Sequence, residues 1–318
     1  MEGLAGSFRI YGQKPETMIV YHKHNEIDRE QWDNCIKNTP GAKPYAYSWY
    51  LDIMAPGWQA LVDDDYDSVF PVPGFSCFGI QYIATPIFLQ QLGAYSPDKP
   101  VSKAISEFLD YMPDFFKFID LCIGQKIDAD GYKLSERVNY ELDLSKPYET
   151  IFKNFSDHCR RNVEASARKS PELVYNITPD EIIDLFIQNK GKDINGIKVR
   201  DYQRLKNLMS FCLINKKGKL IGVRGARKKL IFGIFLVEIR GNKTILFVVN
   251  TPLSRERRIG YFVVNELIKN YSSTRTILDF AGSSIPSVAS FLESFGCARV
   301  PYYRLYRNRL LWPLRMLK

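Results

Sequence analysis

The sequence predicts an α/β chain of the α+β kind, with two domains in tandem, each a mixed and largely antiparallel sheet flanked by helices. Three observations predict it. The chain has 318 residues, and a single core stops growing at roughly 250. Its charge changes sign partway: residues 1–130 carry 10 Lys+Arg against 18 Asp+Glu, whereas residues 131–318 carry 34 against 17. Its second part reads strand, helices, three-strand meander, helix, strand, helix, strand, which lacks the strict alternation of a doubly wound parallel sheet. The expected domains are 1–130 and 131–318, divided at the turn Asp128-Ala-Asp-Gly131.

In the first part, "MIVYHKHNEID" reads as a strand and Arg29–Lys37 as a helix. Ala60–Val62 and Ser68–Val72 flank the acidic turn Asp63–Asp65 as a hairpin. "PVSKAISEFLDYMP" sets Ala104, Ile105, Phe108 and Leu109 on one helical stripe. A strand beginning near Ile119 leads to the boundary.

The second part opens with Val138, Tyr140, Leu142 and Leu144 alternating with polar residues, the period of a half-buried strand. Residues 147–169 read as one basic helix that Ser170-Pro171 ends. A short strand follows at Leu173–Ile177. Thr178-Pro-Asp-Glu181 is a capping box that starts a helix running to about Asn189, since Thr178 can accept from the third helical amide while Glu181 reaches back. A helix near Asp201–Leu213 precedes the meander "KLIGVRGA", "LIFGIFLVEI" and "TILFVV". The helix "RRIGYFVVNELIKNY", the strand "RTILDF", the helix "IPSVASFLESFG" and a strand near Ala298–Tyr306 complete the chain.

The composition sets limits on function. Six widely spread cysteines without a CxxC pattern argue against a disulfide framework or zinc site and point to a reducing, cytoplasmic setting. His22 and His24 share a strand face but have no third ligand in view, so no metal is expected. No apolar run approaches the roughly 18 residues of a membrane span. The tail "YRLYRNRLLWPLRMLK" interleaves basic and apolar residues and allows peripheral contact with an anionic bilayer. His158 and Cys159 are helix neighbours about 100° apart, which argues against a Cys/His nucleophile. The excess positive charge of the second part suits a polyanionic ligand.

The stretch Ser254-Arg-Glu-Arg-Arg-Ile-Gly-Tyr-Phe-Val263 links the last meander strand to a helix. A helix start offers unpaired amides and the positive end of a dipole, so Gly260 could admit a phosphate while Arg255, Arg257 and Arg258 supply charge. Phe262 stands where a small residue would leave more room. Arg160 and Arg161 are further candidate anion contacts.

Three places carry a resemblance. Arg257-Arg-Ile-Gly260-Tyr-Phe262 is similar, at its first four positions, to the phosphate loop of GNAT-type acyltransferases. Asp279-Phe-Ala-Gly-Ser283 with Phe291-Leu-Glu-Ser-Phe-Gly296 resembles a strand end and closing helix of Fem-like proteins. "YSWYLDIMAPGWQALV" with "TPIFLQQLGAYS" looks like their first domain. The whole chain thus resembles the tandem-GNAT proteins of the Fem-like peptidyltransferase group of bacteria.

The resemblance implies an N-acyltransferase that moves an acyl group from acyl-coenzyme A, or an aminoacyl group from aminoacyl-tRNA, to an amine on a small molecule or peptide such as a cell-wall precursor. It implies that Val248, Val249 and Asn250 contact the donor where two strands splay, and that Gln90 and Gln91 meet the acceptor. Asp279 is then the candidate to orient or deprotonate the amine, and Tyr303 to protonate a leaving group. The competing reading is a tandem-GNAT protein without chemistry that binds nucleic acid or an anionic membrane.

Overall fold

A computed structural model of the chain describes residues 18–63, 65–191, 196–282, 285–312 and 315. Asp64 of the acidic turn, Ser283 of the strand-end motif, and Leu314, Leu317 and Lys318 of the tail lie outside the described residues.

The first part contains β1 (Ile19–His22), α1 (Arg29–Asn38), α2 (Ser48–Met54), β2 (Gln59–Asp63), β3 (Ser68–Val72), β4 (Gly74–Cys77), β5 (Ile80–Ala84), α3 (Val101–Asp110) and β6 (Phe116–Ile123). The second contains β7 (Lys133–Asp143), α4 (Tyr148–Lys153), α5 (Asp157–Ala167), β8 (Leu173–Val174), α6 (Pro179–Phe186), α7 (Val199–Ile214), β9 (Gly218–Arg224), β10 (Leu230–Ile239) and β11 (Asn242–Asn250). It closes with α8 (Pro252–Glu256), α9 (Ile259–Tyr271), β12 (Ile277–Asp279), α10 (Pro286–Glu293) and β13 (Ala298–Asn308).

The fold is mixed α/β with a large mixed sheet. Two separate large sheets were expected. Instead, among the described residues, ten strands form one sheet in the order β4-β5-β6-β13-β7-β12-β11-β10-β9-β8, and β1-β2-β3 form a separate one. The join is β13, whose residues Tyr303–Asn308 pair with β6 on one side while Ala298–Tyr306 pair with β7 on the other. The expected boundary near residue 130 falls in the loop between β6 and β7, yet the apolar cluster on one face draws from both sides of it. Phe88 meets Phe247 edge-on at 5.7 Å and Trp49 stacks on Phe211 at 5.3 Å across that line.

A second apolar cluster covers the other face of the C-terminal strands, beneath α4, α5, α9 and α10. Local chemistry explains two departures from the expected elements. The single helix over 147–169 is broken because Ser156 caps α5, its hydroxyl accepting from the Cys159 amide. Likewise Thr251 caps the short α8, so the meander is followed by two helices rather than one. The capping box at Thr178 and Glu181 forms as expected.

Close strand packing sets a test of this arrangement. A Cβ added at Gly222 would lie 2.6 Å from both the Phe232 carbonyl oxygen and Ile177 Cδ1. Because the backbone of β10 cannot yield without breaking the ladder, Gly222→Ala is expected to lower unfolding free energy by about 1–3 kcal/mol in urea melts. An unchanged midpoint would contradict the register.

Candidate functional site

Strand β11 and strand β12 run parallel for three residues only, Asn242–Thr244 opposite Ile277–Asp279. Beyond that rung they part. The pairing of β10 with β11 steps from Leu236↔Ile245 to Phe235↔Phe247, which leaves Leu246 as the extra residue of a bulge. A bulge bends its strand and sharpens the local twist, so it turns β11 away where β12 ends. Among the described residues, the β12-facing edge of β11 from Ile245 onward therefore has no strand partner.

The gap holds a cavity of about 520 Å³. Phe232, Ile245, Phe280 and Phe291 wall it, Phe186 and Val249 line its opposite side, and Arg255 and Arg258 stand at its mouth. Of the expected donor contacts, Val248, Val249, Asn250, Arg255, Arg258 and Gly260 all line this cavity. Arg257 is exposed beside it. Phe262 does not obstruct the space: it packs against the apolar cluster, and Tyr261 lines the wall instead. A Cβ at Gly260 would meet Phe291 at 3.6 Å and Phe232 at 3.8 Å, ordinary contact distances. Glycine here adds room and relieves no clash. Arg258 enters α9 in the left-handed region, at φ 60°, and the Arg255 guanidinium donates to the Asn250 carbonyl at 2.7 Å.

Alternation along β12 decides what lies on the other face. Leu278 and Phe280 join the cluster under α9, so Asp279 points toward the first part of the chain. It is fully buried. Its Oδ2 accepts from Lys43 Nζ at 2.5 Å, and its Oδ1 accepts from Asn139 Nδ2 at 3.0 Å and from the Ala281 amide at 2.8 Å. Lys43 also donates to Glu141 Oε1 at 2.5 Å, which Asn139 reaches at 3.1 Å. Gln90 donates to Asn139 Oδ1 at 3.1 Å, and Gln91 donates to Gln90 Oε1 at 3.2 Å. Two glutamines that the sequence placed near an acceptor thus complete a chain of hydrogen bonds to Asp279.

A second cavity, of about 480 Å³, opens beside this network. Lys43, Glu141 and Gln91 line it together with Tyr47, Tyr95 and Arg240. Asp279 and Phe280 therefore stand between two spaces. Burial alone would lower the Lys43 pKa, but the charges of Asp279 and Glu141 outweigh it and hold the ammonium above the ordinary lysine value. Burial raises the Tyr45 phenol well above its usual value, and the Asp279 charge adds to this. The Tyr45 hydroxyl is buried with no hydrogen-bond partner.

Other expected residues lie elsewhere. Tyr303 is a core residue opposite Glu136, five positions along β13 from Ala298, which faces Glu141. At about 3.4 Å per residue that is roughly 17 Å from the rung, so the structure does not bring Tyr303 to Asp279. Arg160 donates to the Phe155 and Lys153 carbonyls at 2.6 and 3.2 Å and pairs with Asp157, so it closes the end of α4. Neither Arg160 nor the exposed Arg161 lines either cavity. Burial pushes the Cys159 thiol up to about 11, unfit for a nucleophile at neutral pH. Among the described residues no cluster of His, Cys, Asp or Glu could hold a metal, and no helix is long and apolar enough to cross a membrane.

Lys43, Asn139 and Glu141 went unread in the sequence. Asn139 and Glu141 alternate with the core residues Tyr140 and Leu142, so the strand's period already marked them as sharing the opposite face. Lys43 precedes a proline in a loop and gave no signal.

No family model matches the sequence, and no curated protein matches it. Among solved structures the chain is similar to FemX, with TM-score 0.64 at 12% identity over 92% of this chain and 98% of that one. It is similar to L-PGS from Bacillus licheniformis, with TM-score 0.53 at 12% identity over 91% and 95%. The C-terminal domain of a putative lysylphosphatidylglycerol synthetase from Agrobacterium fabrum matches with TM-score 0.54 at 9% identity over 88% and 91%. The resemblance to Fem-like proteins is therefore borne out in the fold.

The Lys43 bridge sets a second test. Lys43→Met leaves the buried Asp279 carboxylate without its cation, a loss expected to cost about 3–5 kcal/mol in chemical denaturation. Since the folded Lys43 pKa is raised, its contribution is complete below the ordinary value of about 10.4 and fades as pH rises through the folded value. The difference between wild type and Lys43→Met should therefore shrink in alkali, above about pH 10.

Proposed function

We propose that the chain is an N-acyltransferase of the Fem-like kind, moving an acyl or aminoacyl group from a polyanionic carrier to an amine. The observation that carries this reading is the cavity at the parting of β11 and β12. It joins an unpaired strand edge, an apolar wall and an arginine-lined mouth. An extended donor arm with amide groups can pair along the free edge of β11, while its phosphates meet Arg255, Arg258 and the first amides of α9. Acyl-coenzyme A fits this description; aminoacyl-tRNA is the other donor of the class.

The acceptor enters from the second cavity, where Glu141 and Lys43 reach the surface of the cleft. Two carboxylates share one ammonium there, which leaves Glu141 Oε2 free to accept a proton from an incoming amine. Attack is direct: the nitrogen adds to the donor carbonyl, Glu141 takes its proton, and the carrier leaves. Asp279 acts as a positioning residue that fixes Lys43 and Asn139. The amine belongs to a small molecule or peptide, with cell-wall precursors the first to test.

Purified protein, an acyl-coenzyme A series, aminoacyl-tRNA and amine acceptors provide the test. Arg258→Glu is expected to raise the donor KM about tenfold with kcat retained, the pattern of a lost binding contact. Glu141→Gln should lower kcat about 100-fold or more while donor binding holds. If neither donor type binds by calorimetry, the transferase reading falls.

A further inference from the structure

The proposed donor cavity lies beside basic residues that extend past its lining. Arg255, Arg257 and Arg258 are exposed at the junction of α8 and α9, and Arg227, Lys228 and Lys229 are exposed on the turn between β9 and β10. The two groups are neighbours. The Thr251 amide donates to the Ile231 carbonyl, and a Cβ on Gly225 would touch Leu253 at 3.9 Å. Within 225–229 and 252–258, Glu256 is the one acidic residue against six cations. Glu181 on nearby α6 is neutralised by Arg224 at 2.7 Å. Leu253, between the two groups, exposes 37% of its surface, and Val248 and Val288 of the cavity lining expose 45% and 37%.

Arg227 and Lys228 both sit in the left-handed region, at φ 56°. Each long side chain held there costs roughly 1 kcal/mol that glycine would avoid. Backbone strain that presents charge at the rim of a cavity is an indication of use.

We propose that the acyl donor is delivered by an acidic carrier protein, whose acyl-phosphopantetheine arm enters the cavity while its surface rests on these basic residues. The proposal rests on the transferase reading above and names its donor. Arg255 and Arg258 at the mouth suffice for the phosphates of a free nucleotide carrier. The turn at 227–229 and Leu253 lie outside the cavity lining and reach only a macromolecule. Exposed apolar residues beside charged ones are the composition of a protein interface, and six cations select an acidic partner. Single-stranded nucleic acid is held by aromatic stacking platforms, whereas the exposed apolar residues here are aliphatic. In the reaction the acceptor nitrogen bonds to the thioester carbonyl carbon as the carbon–sulfur bond breaks. The amine proton passes by way of Glu141 to the departing phosphopantetheine thiolate.

The experiment presents one acyl arm in two forms to the full chain: octanoyl-coenzyme A, and an acidic acyl carrier protein bearing octanoyl-phosphopantetheine. Binding is read by calorimetry and transfer by kcat/KM. The triple variant Arg227→Glu, Lys228→Glu, Lys229→Glu is expected to lose about tenfold or more in carrier affinity and less than about twofold with octanoyl-coenzyme A. Added salt should weaken wild-type carrier binding in the same way, a readout independent of the variant. Equal losses with both forms would assign the turn to the nucleotide and overturn the proposal. So would tighter binding of aminoacyl-tRNA with a steep salt slope, or wild-type transfer from octanoyl-coenzyme A with no carrier binding. That last result leaves the transferase reading intact, whereas salt-sensitive carrier binding without transfer from any donor supports the docking surface and removes the transferase reading.

Discussion

The rung at which Thr244 faces Asp279 is where the ten-stranded sheet stops being continuous, and the two spaces of the site are arranged around it. Up to that rung the parallel pair is closed by backbone hydrogen bonds. Past it, the bulge at Leu246 carries β11 off while β12 ends, so an apolar gap opens with one unsatisfied strand edge. The same rung turns the Asp279 carboxylate into the opposite face at full burial, where an unpaired charge would be costly. Lys43, arriving from the first part of the chain, matches it. The parting of two strands and the docking of a distant loop are thus one structural event.

That event leaves the charges unequal. Asp279 and Glu141 together outnumber Lys43, in a place with limited access to water. A buried cluster with one negative charge in excess is stabilised by an added cation. Lys37 and Arg240, which line the adjoining cleft, supply positive charge there. Under the transferase reading proposed above, Glu141 is the proton acceptor of this group, and the cavity lined by Phe280 holds the donor.

Local elements were legible where local chemistry fixes them. The capping box at Thr178, the three-strand meander and the stripe of α3 all form from interactions within a few residues. That Val248–Asn250, Arg255, Arg258 and Gly260 would gather round one space was legible too, because strand, charged linker and helix are consecutive. What escaped notice depends on distant pairing. Nothing in β13 announces that it will join β6, more than 180 residues away along the chain for Arg304 and Asp120, so two sheets were expected where one forms. Lys43 was invisible for the same reason: its partners are 98 and 236 residues distant. Tyr303 was chosen for its chemistry, but register along β13 decides its place, and that register is set by β7.

The division of charge along the chain now has a structural meaning. Residues lining the donor cavity all come from the strongly basic second part, from Phe186 to Leu292. The acceptor cleft is lined by both parts, and its central cation is supplied by the acidic one. On the proposed reading the donor site is therefore lined by the second part alone, whereas the acceptor site also needs the first part docked through Lys43 and Gln90. The hydrogen bonds that join the parts are the same ones that position the acid–base groups. The first part touches Glu141 and Asp279 directly through Lys43, whereas it reaches the wall of the other cavity by way of Phe88, Phe247 and Phe186, so on the proposed reading acceptor chemistry depends on this interface more directly than donor binding does.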